Sequence, residues 1–186
     1  MRRFDGIHRA VVDWQRVAVG AGAVAAALAI MASACGGDGD RTARDYIPEL
    51  SSEGLALLEQ GRDPFAPETV DVWRAHYQSS DGRAAIVLVY VEADEATAAI
   101  QYATLAEALR HPPPEFFGAD ADQLETDAIA LGDEQRAFVT ATADNAGNLV
   151  WTDIYRSGTA IAIIQLLAIG EDATEARRAI AREVLD

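Results

Sequence analysis

The chain has 186 residues, half of them apolar, and a formal net charge of −15. That length holds one domain beside an export segment and is short for two cores, while the apolar fraction excludes a disordered acidic tail. The first 16 residues carry four Arg against two Asp, so the remainder carries about −17, a field that repels nucleic acid and anionic lipid surfaces.

The chain opens with a polar, net-positive stretch, Met1–Arg16. Val17–Ala34 then runs 18 residues without a charge. Ala32-Ser33-Ala34 closes the run and Cys35 follows at once. Basic start, apolar helix and small-residue cleavage site together make an export signal, with cleavage expected after Ala34. Cys35 is the only cysteine, so no intrachain disulfide forms, although an exported chain would meet conditions that allow one.

A cysteine directly after the small residues resembles the lipobox of bacterial prolipoproteins; Ala32 stands where that family more often has Leu, Val or Ile. The resemblance implies lipidation of Cys35. Two or three acyl chains hold a protein stably at a bilayer where one holds it marginally. The Gly-rich run after Cys35 reads as a flexible tether. The expected division is a signal peptide over 1–34, a lipid-anchored linker over 35–48 and a single domain over 49–186. The alternative is an uncleaved signal anchor, because the same apolar run is near the lower limit of a membrane-spanning helix.

Within the domain, Ser51–Gln60 offers a Ser cap with Leu55, Leu57 and Leu58, bounded by Gly61, and predicts a short helix. Thr69–Gln78 and Ala84–Val91 read as strands of a hairpin around Ser80-Asp81-Gly82. Asp94 is positioned to cap a helix reaching Leu109, whose stripe is Ala96, Ala99, Ile100, Ala103, Ala106 and Leu109. Four strands follow over Leu124–Leu131, Arg136–Ala143, Leu149–Tyr155 and Ala160–Ile169, in a meander. The last is apolar on both faces and predicts a central, helix-covered strand. Asp172 with Glu175 predicts a capping box for a final helix presenting Ala176, Ile180 and Val184. The expected fold is α+β: an antiparallel sheet of about six strands, a hairpin plus a four-strand meander, packed with two to three helices.

From about Thr69 to Asp186 the chain resembles a broad set of small, mostly uncharacterised bacterial envelope lipoproteins. The shared features are Leu131-Gly132-Asp133-Glu134 before a hairpin, Arg156-x-Gly158 before an apolar strand, and a terminal Ala/Arg helix. The resemblance implies a sandwich domain similar to those of mycobacterial surface lipoproteins and a place on the extracytoplasmic face of a cell membrane. It carries no catalytic residue across.

Candidate chemistry is sparse. His76 and His111 are solitary, and His76 reads as a partly buried strand residue rather than a ligand. Asp120, Asp122, Glu125 and Asp127 lack the spacing and glycine of a calcium loop and read as a solvated acidic loop. No nucleophile elbow or dinucleotide fingerprint is present, so no cofactor, metal or catalytic residue is expected. The candidate binding loop is Pro112, Pro113, Pro114, Phe116 and Phe117. It reads either as an aromatic wedge offered to a partner or as a flap over the sheet edge, the second favoured because an exposed Phe pair invites aggregation. Trp73, Tyr77, Tyr102, Trp151 and Tyr155 read as core packing by default. The functional expectation is a non-enzymatic, membrane-tethered module that binds a protein or a small apolar ligand and no nucleic acid. A carboxylate-dependent hydrolase and a structural envelope component are the alternatives.

Overall fold

A computed structural model of the chain describes residues 41–64, 66, 70–110, 123–141, 148–169 and 173–185. The strands are β1 (Ala56–Arg62), β2 (Asp71–Gln78), β3 (Ala84–Val91), β4 (Gln123–Thr126), β5 (Glu134–Thr140), β6 (Asn148–Ser157) and β7 (Ala160–Ile169). The helices among the described residues are α1 (Glu95–Arg110) and α2 (Thr174–Leu185), with single 3-10 turns at Ala43–Tyr46 and Ser51–Glu53. All seven strands form one antiparallel sheet in the order β1-β2-β3-β7-β6-β5-β4. The α+β expectation holds, with one strand more than the six read from the sequence.

β7 lies fourth in that order, at the centre, and its Ile161, Ile163, Ile164 and Leu166 are at most 2% exposed. Burying each such side chain stabilises the fold by about 1.5–3 kcal/mol. One sheet face packs Val72, Leu88, Tyr90, Phe138, Ile154, Ile161 and Ile163 against α1. The other packs Tyr77, Val87, Val89, Trp151, Tyr155, Ile164 and Leu166 against α2 and the 3-10 segment, where Tyr77 Oη donates to the Pro48 carbonyl at 2.7 Å. Helices on both faces explain why β3 and β7 are apolar on both sides.

Three local expectations are corrected. Ser51–Gln60 is not a helix: Gly54, at φ +71°, ends the 3-10 turn, and Ala56–Arg62 pairs with β2 from Ala56↔Gln78 to Arg62↔Trp73. The open edge of β2 offers that run a ladder of hydrogen bonds, which outweighs its modest helical pattern. The pairing slips between Leu57 and Glu59, and Leu57 and Leu58 stay 46% and 56% exposed. An edge strand with a bulge of this kind is poorly suited to adding another strand.

The buried face of α1 is Ala98, Gln101, Tyr102, Leu105, Ala106 and Leu109, so Ala96, Ala99, Ile100 and Ala103 do not form the core stripe, and Ile100 is 66% exposed. Turning Tyr102 and Leu105 inward removes far more apolar area from water than burying Ile100 among alanines. Asp94 does cap α1, its Oδ1 accepting from the Thr97 amide at 2.8 Å. Finally, β4 stops at Thr126, and residues 127–131 leave the sheet. Gly132, at φ +69°, redirects the chain into β5.

Candidate functional site

The departure of residues 127–131 opens a cleft of about 510 Å³ between that segment and α2, with Trp151 of β6 among its lining residues. Ile129 and Leu131 contribute apolar wall, and Arg177, Arg178 and Arg182 come from α2. The size falls within the range of small-ligand sites.

The cleft is built on a buried ion pair. Asp153 alternates with Trp151 and Tyr155 along β6, so all three point to the α2 face. Arg177 sits at the start of the buried face of α2 that continues through Ile180, Ala181 and Val184. Its Nε and Nη2 donate to Asp153 Oδ2 and Oδ1 at 2.8 and 2.6 Å, and the two side chains are 3% and 2% exposed. Burial alone would lower the pKa of the Arg177 guanidinium; the hydrogen bonds and charge of Asp153 more than offset it and hold that pKa above the usual arginine value.

Nη2 of Arg177 also donates to the Asp127 carbonyl at 3.3 Å, tying the opposite wall, and the guanidinium lies 4.8 Å from the Trp151 ring centroid. One side chain therefore fixes helix, strand and wall together. The indole Nε1 of Trp151 is buried without a hydrogen-bond partner among the described residues, a state that costs about 1–3 kcal/mol. Burial and the neighbouring Asp153 push the phenol of Tyr155 well above its ordinary pKa, so it stays neutral.

A second constellation joins the two motifs on which the lipoprotein resemblance rests. Arg156 Nε donates to Glu134 Oε1 at 2.6 Å, the Gly158 amide donates to Asp133 Oδ2 at 2.8 Å, and the Asp133 amide donates to the Arg156 carbonyl at 2.7 Å. A Cβ on Gly132 would lie 2.5 Å from that same carbonyl, so glycine is needed for close approach as well as for its left-handed backbone. The clasp locks the β6–β7 turn onto the start of β5. Its groups are all engaged with one another, and its role is to hold the far end of the 127–131 wall.

Ala34, Cys35, Pro112, Pro113, Pro114, Phe116 and Phe117 lie outside the described residues, as does Asp172 of the expected capping box. Among the described residues no helix is long and apolar enough to cross a membrane. Glu125 accepts from Arg136 Nε at 3.1 Å, and among the described residues no three His, Cys, Asp or Glu side chains converge on a metal position. His76 is 9% exposed in β2, with its pKa lowered by burial and then by Arg74. Tyr77, Trp151 and Tyr155 join one core cluster and Tyr102 the other.

The sequence reading missed Asp153 and the three α2 arginines. A carboxylate alternating with Trp151 and Tyr155, and an arginine three residues ahead of Ile180 on an apolar helix face, were the available signals.

No protein-family model and no curated protein sequence matches the chain. Among solved structures it is similar to the extracellular domain of PknH from Mycobacterium tuberculosis, at a TM-score of 0.46 and 7% identity. The superposition covers 62% of this chain and 62% of that one, less than two thirds of the neighbour's length.

Proposed function

We propose that this chain is an extracytoplasmic lipoprotein, held to a cell membrane through lipid on Cys35, whose domain is a non-enzymatic module that binds its ligand in the α2 cleft. The observation that carries binding is the cleft itself: an apolar wall and a buried tryptophan beside arginines, on rigid supports. What supports binding over turnover is the state of its acidic groups. Asp153 is committed to Arg177, and Asp127 is exposed, so neither is poised as a general acid or base. Glu92 is the described carboxylate whose pKa is raised, by burial first and then by Asp94, and it does not line the cleft. The tether rests on the sequence of the export segment and its cysteine.

Two measurements test this reading. Radiolabelled palmitate should enter the wild-type chain and not a Cys35→Ala variant, and that variant should lose its membrane fractionation. A Cys35→Ala chain that matures and fractionates unchanged would end the tether. Native mass spectrometry of the full chain drawn from membranes should find a bound small molecule that a cleft-filling Ala130→Trp variant lacks; the same ligand on both would end the cleft assignment.

A further inference from the structure

We propose that the α2 cleft takes a ligand with an oxyanion, a carboxylate or phosphate, on an apolar body, and that Arg178 and Arg182 hold the anion. This rests on the cleft being the binding site and adds the chemical class of what enters it. In a chain of net charge −15, the charged residues lining the cleft among the described residues are three arginines and Asp127. Asp153 balances Arg177, Glu175 pairs with Arg178 at the surface and Arg182 faces Asp127 across the cleft, so the site is close to neutral in a strongly acidic molecule.

The three arginines are not equivalent. Arg177 commits its Nε and Nη2 to Asp153 and the Asp127 carbonyl and serves as structure. Arg178 and Arg182 stand one turn apart on α2 and line the same cleft. Arg178 pairs with Glu175 at 2.6 Å, a carboxylate 85% exposed. Such a surface pair is worth little, so a ligand carboxylate can take its place. Arg182 is exposed and makes no ion pair among the described residues. Two guanidinium forks at this spacing suit a planar or tetrahedral oxyanion, which they can bind through paired N–H donors.

Across the cleft stand the 127–131 segment and Trp151 of β6, which is 8% exposed. The indole and the Ile129 and Leu131 side chains supply apolar surface for the body of the ligand.

The test is calorimetric titration of the full-length protein in neutral detergent with phenylacetate, phenyl phosphate and the uncharged phenylacetamide. The two anions should bind at least about tenfold more tightly than the amide, and an Arg178→Gln/Arg182→Gln variant should lose about tenfold for the anions while leaving the amide unchanged. Phosphatidylglycerol in the micelles gives the second arm. Displacement of phenylacetate by it assigns the oxyanion to a lipid headgroup, and no displacement assigns it to a soluble ligand; both support the proposal. Equal binding of amide and anions overturns the anion assignment while leaving a binding cleft in place. Undiminished anion binding by the double variant, or no anion binding at all, also overturns it.

Discussion

Removing Asp153 while leaving Arg177 tests how the cleft is held together. The pair is 2% and 3% exposed and bidentate at 2.6 and 2.8 Å. In an Asp153→Ala variant the guanidinium keeps its cation–π contact with Trp151 and one bond to the Asp127 carbonyl, but stays buried with no counter-charge. Stranding one member of a buried pair costs about 3–5 kcal/mol, a large share of the stability of a domain this size. Replacing both partners by apolar groups of similar shape, as Asp153→Leu with Arg177→Met, removes the stranded charge and should recover most of that loss. Equilibrium urea unfolding of the wild type, Asp153→Leu, Arg177→Met and the double variant closes the thermodynamic cycle, with Asp153→Ala measured beside it. A loss below about 1 kcal/mol for Asp153→Ala, the range of an exposed pair, would refute the placement of this pair in the interior. So would a double variant as unstable as the sum of its singles.

Gly132→Ala should destabilise the chain by about 2–4 kcal/mol in the same unfolding assay, combining left-handed strain with backbone collision, since its Cβ would sit 2.5 Å from the Arg156 carbonyl. Gly158→Ala, at φ +57° with nothing within 4 Å of the added Cβ, should cost only about 1 kcal/mol; equal losses would mean that close approach at Gly132 is unimportant. Burial depresses the pKa of His76 below its ordinary 6.5, so the unfolded chain binds the proton more readily. Its contribution is complete above pH 6.5 and falls with acidification until the lowered folded-state pKa is reached, with a slope of at most about 1.4 kcal/mol per pH unit. His76→Gln should flatten unfolding free energy across that window, and an unchanged slope would show that His76 is not the group responsible.

Elements with one dominant signal were legible. Ala84–Val91 and Ala160–Ile169 match their strands to the residue because apolar runs bounded by turns admit one register once helices cover both faces. The end of α1 falls one residue past Leu109. What failed were choices that local pattern leaves degenerate. Leu55, Leu57 and Leu58 fit a helix face or a strand, and only the vacant edge of β2 decides between them. On α1, Ala96-Ala99-Ile100-Ala103 and Ala98-Tyr102-Leu105-Leu109 are both apolar stripes. The second is buried because it carries more apolar area, a comparison that counting positions cannot make. The cleft was illegible for another reason: its walls are about 50 residues apart in sequence, joined by the Arg177–Asp127 bond, and no spacing motif spans such a gap.

The buried ion pair also bears on why this site exists. Pairs of this kind are seldom the most stable solution, since well-packed apolar residues in their place hold a fold as well or better. Leu and Met at 153 and 177 would satisfy the sheet and α2, whose faces already hold Ile164, Leu166, Ile180 and Val184. They would not donate to the Asp127 carbonyl, nor set a cation against the Trp151 ring. What the pair adds beyond stability is therefore positional: it pins the 127–131 wall and the indole relative to α2. The same helix then presents Arg178 and Arg182 to the space so defined. A charge cluster needed only for solubility would not require one of its members to be buried and bonded to the opposite wall, and that is the physical argument for reading the cleft as a site rather than a gap between elements.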